Sequence, residues 1–352
     1  MPVQGFTRYR RHQFGRQAAF GTAVAAKRAY AFSGVPAHDP EWTDPEVDVG
    51  SIDPVVAPFR GAGSYTAALT DPALRYNNLP LMLSAFFGGG VAATGATAKT
   101  RLYDPSSTTV DPLDLFAYEF GDDVVTDWMQ YRDGILESLE FTGPEGLGPL
   151  TASMGWRFGT MTGSGFTDFP DSPAVPTALA VDPNEVIVYL KDLALYIASD
   201  PYDLTYSGFR IADALHTFTL RMTKEIDVKR FANGDQSFDV DAYAVTGRLI
   251  ELECSFAKTA DTVGIGSESD AWFSEQSVDR YVRLYAESVI DADTGVPYSW
   301  DQSFPMRYRT RVEGEAGGNS LVVLTGRNFY ASAHNIGAYS SEVVNTLDDA
   351  DL

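Results

Sequence analysis

The chain holds one cysteine, Cys254, among 352 residues. That excludes an intrachain disulfide and any metal site built on clustered thiolates. Within Ile250-x-Leu252-x-Cys254-x-Phe256 it reads as a small core residue and not as a reactive thiol. Histidine is also scarce: His12, His38, His216 and His334 are the four, and no two have metal-ligand spacing. His216 falls on the same face as Phe218, Leu220 and Met222, as a packed or strand-end histidine does. No apolar run approaches the roughly 20 residues that span a bilayer. Cations are short as well, with 26 Lys and Arg against 48 Asp and Glu and a net charge of −22. A surface of that sign repels nucleic-acid phosphates. Twin arginines Arg10-Arg11 precede an Ala-rich stretch, but Arg16, Gln17, Gly21 and Thr22 interrupt it, so it lacks the apolar core of a secretory signal. These absences point to the cytoplasm as the place of synthesis.

Catalytic motifs are missing in the same way. No Gly-x-Ser-x-Gly elbow occurs. Gly88-Gly89-Gly90 follows a candidate helix instead of opening one, and no Gly-Lys-Ser/Thr comes after it, so it is no phosphate cradle. Asp291-Ala292-Asp293-Thr294-Gly295 starts like a calcium loop, but its twelfth position is Gln302 and not Glu; a plain turn is the better reading. Paired carboxylates such as Asp122-Asp123 are ordinary in an acidic chain, although two-carboxylate glycosidase chemistry can use partners far apart in sequence. The expectation is a protein that is not an enzyme and carries no cofactor and no metal.

What the sequence does contain is β structure, arranged twice. Eighteen Tyr and 21 Phe favour pleated, half-buried surfaces. Strands are expected at Lys27–Phe32, Ser64–Leu69, Thr97–Tyr103 and Leu113–Phe120, with a short helix over 77–88 that Asn can cap, Pro80 opens and Gly88 stops. A hairpin follows, Ile135–Phe141 and Leu150–Phe158. Its second arm alternates Leu150, Ala152, Met154, Trp156 and Phe158 against Thr151, Ser153, Gly155 and Arg157, which predicts one packed and one wet face. The second series expects strands at Glu185–Leu190, Leu215–Met222, Ile250–Phe256, Val278–Glu287, Tyr298–Arg311 and Leu321–Arg327, a short helix at 269–276, and a frayed acidic tail from Asp348. Loop 33–62 matches a polar excursion over 226–246, and helix 78–87 matches helix 269–276. The fold class is therefore mainly β with short helices, as two tandem units over 1–170 and 177–352. They would meet at a Pro-rich junction, 169–178. Hairpin 135–158 belongs to the first unit or bridges to the second.

Two further features suggest self-assembly. Arg8, Arg10, Arg11, Arg16, Lys27 and Arg28 all precede the first carboxylate, Asp39, and a basic arm on an acidic body suits contact with a neighbouring copy. Loop 33–62 carries Trp42, Val47, Val49, Ile52, Val55, Val56 and Phe59, too many apolar groups to leave in water.

Several segments resemble the major tail tube proteins of long, flexible-tailed bacteriophages. Gln17-Ala18-Ala19-Phe20-Gly21-Thr22-Ala23-Val24-Ala25-Ala26 is similar to that family's N-terminal segment. Leu74-Arg75-Tyr76-Asn77-Asn78-Leu79-Pro80-Leu81-Met82-Leu83, ending at Gly88, resembles its helix, and Leu136–Gly146 its central hairpin. The resemblance spans residues 17–159; beyond that only the architecture is alike. It implies tandem β-sandwich or barrel units whose inner sheets join round a ring into a continuous barrel. Most members have one such unit and form hexamers; a two-unit chain implies three copies in a pseudo-hexameric ring. It implies further that rings stack through the long loop (Trp42, Val47, Ile52, Val56, Phe59) and that the arm (Arg8, Arg10, Arg11, Arg16, Phe20) contacts a neighbour. DNA would slide without specific binding through an acidic lumen, with few Lys or Arg, for which Glu251 and Glu253 are candidates. The expected setting is a phage tail, with tape-measure and tail terminator proteins as partners and no membrane. The competing expectation is a carbohydrate-binding or other virion adhesion module with Tyr298-Ser299-Trp300 as its platform.

Overall fold

In the computed structural model, residues 10–22, 24–39, 42–43, 59–60, 63–88, 93–104, 114–121, 128–163, 178–205, 210–211, 215–231, 240–258, 279–316, 319–329 and 339–352 are described. The protein is mainly β, and every strand pairing is antiparallel. In the first half the strands are β1 (Arg11–Gln17), β2 (Arg28–Tyr30), β3 (Ser33–Asp39), β4 (Trp42–Thr43), β5 (Phe59–Arg60) and β6 (Ser64–Asp71). Helix α1 (Leu79–Phe87) follows, then β7 (Lys99–Tyr103), β8 (Leu115–Gly121), β9 (Trp128–Gly143), β10 (Thr151–Phe158) and β11 (Thr160–Gly163). The second half adds β12 (Leu193–Ala198), β13 (Arg210–Ile211), β14 (Leu215–Lys229), β15 (Ala242–Ala257), β16 (Arg280–Asp293), β17 (Val296–Ala316), β18 (Asn319–Asn328) and β19 (Ser340–Asn345).

The same order of pairings occurs twice. β1–β8, β3–β6, β6–β10, β8–β9, β9–β10 and β9–β11 in the first half correspond to β12–β16, β14–β15, β15–β18, β16–β17, β17–β18 and β17–β19 in the second. The long strands β9 and β17 play equivalent parts. Each pairs through its first portion with one set of neighbours and through its second portion with another. Each also carries a one-residue bulge against its hairpin partner, at Glu137 opposite Gly155/Trp156 and at Arg309 opposite Thr325/Gly326. A bulge bends and twists the strand that holds it, which lets one strand serve both arrangements.

Two ladders join the halves. β9 pairs with β14, from Thr223↔Ser138 to Phe218↔Gly143, and β19 pairs with β7. The second portion of β9 thereby links eight strands into one ribbon, in the order β3–β6–β10–β9–β14–β15–β18–β17. One face of the ribbon is apolar: Leu69, Trp156, Phe141, Leu220, Leu252 and Leu324 are all buried. These side chains belong to a single hydrophobic cluster that runs through both halves, from Phe14 and Tyr118 to Trp300 and Val343. The expected junction at 169–178 lies outside the described residues except for Ala178, and the described core is shared across both halves.

α1 lies within that core. All nine of its residues are buried, as a helix apolar on every side must be. Its C-terminal carbonyls are capped from the ribbon: Lys224 Nζ donates to the Ala85 oxygen at 3.0 Å, and Arg248 donates to the Phe87 oxygen at 3.2 Å. Gly88 ends the helix with its N–H donating to the Ser84 carbonyl; its φ of 71° is positive, but its ψ of 171° is extended, so it is not the left-handed helical stop that the sequence predicts. Asn78 does not cap it. Its side chain donates instead to buried Asp71, at 2.7 Å, and ties the helix start to the end of β6.

Other expectations are corrected. The first seven residues of loop 33–62 are strand β3, and β4 pairs with β5 farther along; the rest of the loop lies outside the described residues. The excursion over 226–246 is largely an extension of the β14–β15 hairpin, paired out to Lys229↔Ala242; its middle, 232–239, lies outside the described residues. Residues 185–190 make only isolated bridges, Arg75↔Ile187 and Pro149↔Tyr189, before a short 3-10 turn, and the strand of this region is β12. The acidic tail is docked and not frayed. Asp349 accepts from Arg101 at 3.0 Å, Asp348 pairs with Lys99 at 3.3 Å, and the Leu352 carbonyl accepts from the Arg16 backbone at 2.6 Å. Helix 269–276 falls outside the described residues.

Candidate assembly surfaces

The basic segment is built into the fold. β1 pairs with β2 on one side and β8 on the other, which seats Arg11 opposite Gly121 and Arg16 opposite Phe116. Arg16 donates twice to Asp114, at 2.6 and 3.2 Å, and burial holds the Asp114 carboxyl above its ordinary value against that pull. Arg28 pairs with Glu185. The Arg10 guanidinium lies 6.0 Å from the Phe120 ring centre. Arg10 and Arg11 line a groove of 340 Å³ with Tyr30, Phe32, Leu179 and Val181. Phe20 meets Tyr243 of the second half edge to face, with ring centres 5.8 Å apart. Arg8 lies outside the described residues. Sequence alternation missed β1 because His12, Gln13 and Gln17 are buried polar residues on an internal strand. His12 bonds the Tyr118 hydroxyl at 2.9 Å, and burial pushes its pKa down to about 4.

Of the loop residues, Trp42 and Phe59 stand on β4 and β5, paired as Trp42↔Arg60 and Thr43↔Phe59. Val47, Ile52 and Val56 lie outside the described residues.

Glu251 and Glu253 project from the polar face of the ribbon, opposite the core, as their alternation on β15 predicts. One crosswise row passes over all eight strands through direct register partners: Ser33, Thr70, Ser153, Glu140, Arg221, Glu251, Arg327 and Arg307. Carboxylates and guanidiniums alternate at its centre. Arg221 donates to Glu140 at 2.7 Å, and Arg327 lies 3.5 Å from Glu251. The Arg221 pKa is raised, first by its bond to Glu140 and by that charge, with Glu251 and Glu253 adding to it. The adjoining row is Thr142, Thr219, Glu253, Thr325 and Thr310. This face is therefore hydroxyl-rich and charge-balanced, and not the arginine-poor acidic surface expected around Glu251 and Glu253. Cross-strand partners of opposite sign stabilise each other, whereas facing carboxylates would repel.

The other candidates resolve as packing. Cys254 is buried, and burial pushes its thiol up to about 12. His216 sits at a bulge of β14 and meets Glu145 at 3.3 Å instead of joining the packed row of Phe218. Tyr298 and Trp300 cannot form a sugar platform: Trp300 is 0 % exposed and packs edge-on to Phe141 at 4.7 Å, and Tyr298 is 8 % exposed. Residues 291–293 end β16, and Thr294-Gly295 make a plain turn into β17, with Gly295 at φ 74°. Among the described residues no group of His, Cys, Asp and Glu is placed to hold a metal ion, and no helix is long and apolar enough to cross a membrane. No known family model matches the chain, and no curated protein matches it.

Proposed function

We propose that the chain is the repeating subunit of a tail tube of the type found in long, flexible-tailed bacteriophages, with two tandem tube units per chain. The observation that carries the reading is the twice-repeated pairing order, which strings both halves into one eight-stranded ribbon with a packed and a polar face. A duplicated unit of this kind fits a ring of three chains that imitates six. Such a ring would hold 3 × 8 strands. At a spacing of about 4.8 Å and a tilt of about 40°, a barrel of that size is roughly 50 Å across between backbones, which leaves room for a DNA duplex inside the side chains. Closure also removes sheet edges that would otherwise aggregate.

The polar face suits the wall of a conduit. Arg221 and Arg327 at its centre are engaged by Glu140 and Glu251, the adjoining row is mostly Thr, and the net charge of −22 discourages phosphate adhesion. On this reading the part of loop 33–62 that follows β3 contacts the next ring, and tape-measure and terminator proteins of the same phage cap or fill the tube. The adhesion-module reading loses its support with the burial of Tyr298 and Trp300.

Negative-stain microscopy and sedimentation of the purified chain test the proposal. Rings or tubes with a stain-filled lumen are the expected outcome. A chain that stays monomeric at high concentration and in the presence of its own tail proteins would overturn it.

A further inference from the structure

The joint between the two halves is a template for a joint between two chains. β9 is the last ribbon strand of the first half, and it pairs with β14, the first ribbon strand of the second. By the repeated pairings β17 is equivalent to β9, and β3 is equivalent to β14. Among the described residues neither β3 nor the 307–316 portion of β17 has a second neighbour. The two edges run in opposite directions, because the ribbon has an even number of antiparallel strands. A copy related by rotation therefore continues the alternation when it sets its β3 beside this β17.

The bulges fix the register. Glu137 corresponds to Arg309, so Glu140 corresponds to Val312 and Thr142 to Gly314. Following the ladders back from β18 through β15 to β14, and from β10 through β6 to β3, makes Arg221 equivalent to Ala37 and Thr219 equivalent to Val35. Internally Arg221 faces Glu140 and Thr219 faces Thr142. We infer that β3 of one chain pairs antiparallel with β17 of a second copy, with Ala37 opposite Val312 and Val35 opposite Gly314. The inference deepens the assembly reading and rests on it.

An independent observation agrees. Val35 is 46 % exposed and Val312 is 57 % exposed, and both are apolar side chains on open edges. The proposed register brings them together on one face, diagonal to each other with Ala37 between. The polar residues at the ion-paired internal joint, Arg221 and Glu140, are thus replaced at the outer joint by Ala37 and Val312.

Engineered cysteines read this joint cleanly, because the one native thiol, Cys254, is buried. Opposed residues across an antiparallel pair lie about 4.5–5.5 Å apart, within disulfide range. The double variants Ala37→Cys/Val312→Cys and Val35→Cys/Gly314→Cys are oxidised under conditions where the parent chain forms particles. A β-carbon at Gly314 meets nothing within 4 Å, so the second pair guards against misfolding of the first. Both should cross-link between chains about tenfold faster than Ser33→Cys/Val312→Cys, whose positions are about 13 Å out of register. The covalent ladder should end at a closed trimer. Particles that assemble without these cross-links, or that cross-link equally in the control pair, overturn the joint and leave the assembly reading standing. A parent chain that forms no particles overturns both.

Discussion

At the scale of single residues, the least expected feature is the pair of cations under helix α1. Lys224 and Arg248 are direct register partners on β14 and β15, which sets a buried ammonium opposite a half-buried guanidinium. The helix C-terminus compensates, since its unpaired carbonyls carry partial negative charge. The Phe86 ring lies 5.2 Å from the Lys224 ammonium and adds to the attraction. Burial, and then Arg248, still push the Lys224 pKa down to about 7, with Glu137 and Asp114 opposing. Below that value Lys224 is charged in both folded and unfolded chains. Between it and the ordinary lysine value only the unfolded chain holds the proton, so this residue makes stability rise with pH across that window. The slope from one proton is at most about 1.4 kcal/mol per pH unit. Urea unfolding between pH 6 and 10 should show the rise in the parent chain and a flatter profile in Lys224→Met; equal profiles would mean that Lys224 stays charged throughout. Nothing in the sequence announced this residue, because a lysine in an alternating strand reads as solvent-facing until the helix above it is known.

At the scale of elements, the legible parts were those in which local pattern and tertiary demand agree. Hairpin β9–β10 has one face of Ala152, Met154, Trp156 and Phe158, and all four are buried as the alternation requires. Helix α1 was marked at both ends by Pro80 and Gly88. Less legible were strands whose partners supply what their own sequence lacks. β1 carries buried His12 and Gln13, satisfied by Tyr118 and Glu119 across the ladder. β19 is too short to stand out, and it is held between β17 and β7. The bridging role of β9 was hidden too, because its two portions differ in pairing and not in composition. Gly143 marks the joint: a β-carbon there would approach the Phe218 ring at 2.6 Å and Leu190 at 2.9 Å. Gly143→Ala should therefore cost about 1–3 kcal/mol through overpacking. Gly314→Ala, with open space around it, should stay within about 0.5 kcal/mol of the parent. Denaturant midpoints of the two variants decide it, and equal values would show that the halves yield easily at their seam.

At the scale of the whole molecule, the repeated pairing order and the shared core pull in different directions. Repetition suggests units that could stand alone; the continuous hydrophobic cluster and two linking ladders make each half the other's missing layer. Residues 1–170 or 177–352 expressed alone should be insoluble or lack a cooperative unfolding transition, whereas co-expression should restore a soluble complex. Independent cooperative folding of either fragment, followed by calorimetry, would show that the seam is optional. The candidate surfaces are only half readable from the chain: alternation puts Glu251 and Glu253 on the polar face, but the arginines beside them arrive from β14 and β18, far away in sequence. The twin bulges carry one last consequence. A unit that occurs once per chain must offer the same side chain at every equivalent position of a symmetric assembly. A chain with two such halves is released from that rule. Where the first half has Glu137 the second has Arg309, so equivalent positions of the two halves bear opposite charges. In the proposed ring the repeated pairing order thus sets two side-chain alphabets on a single geometry, and the surface carries a period of two where one unit per chain admits only a period of one.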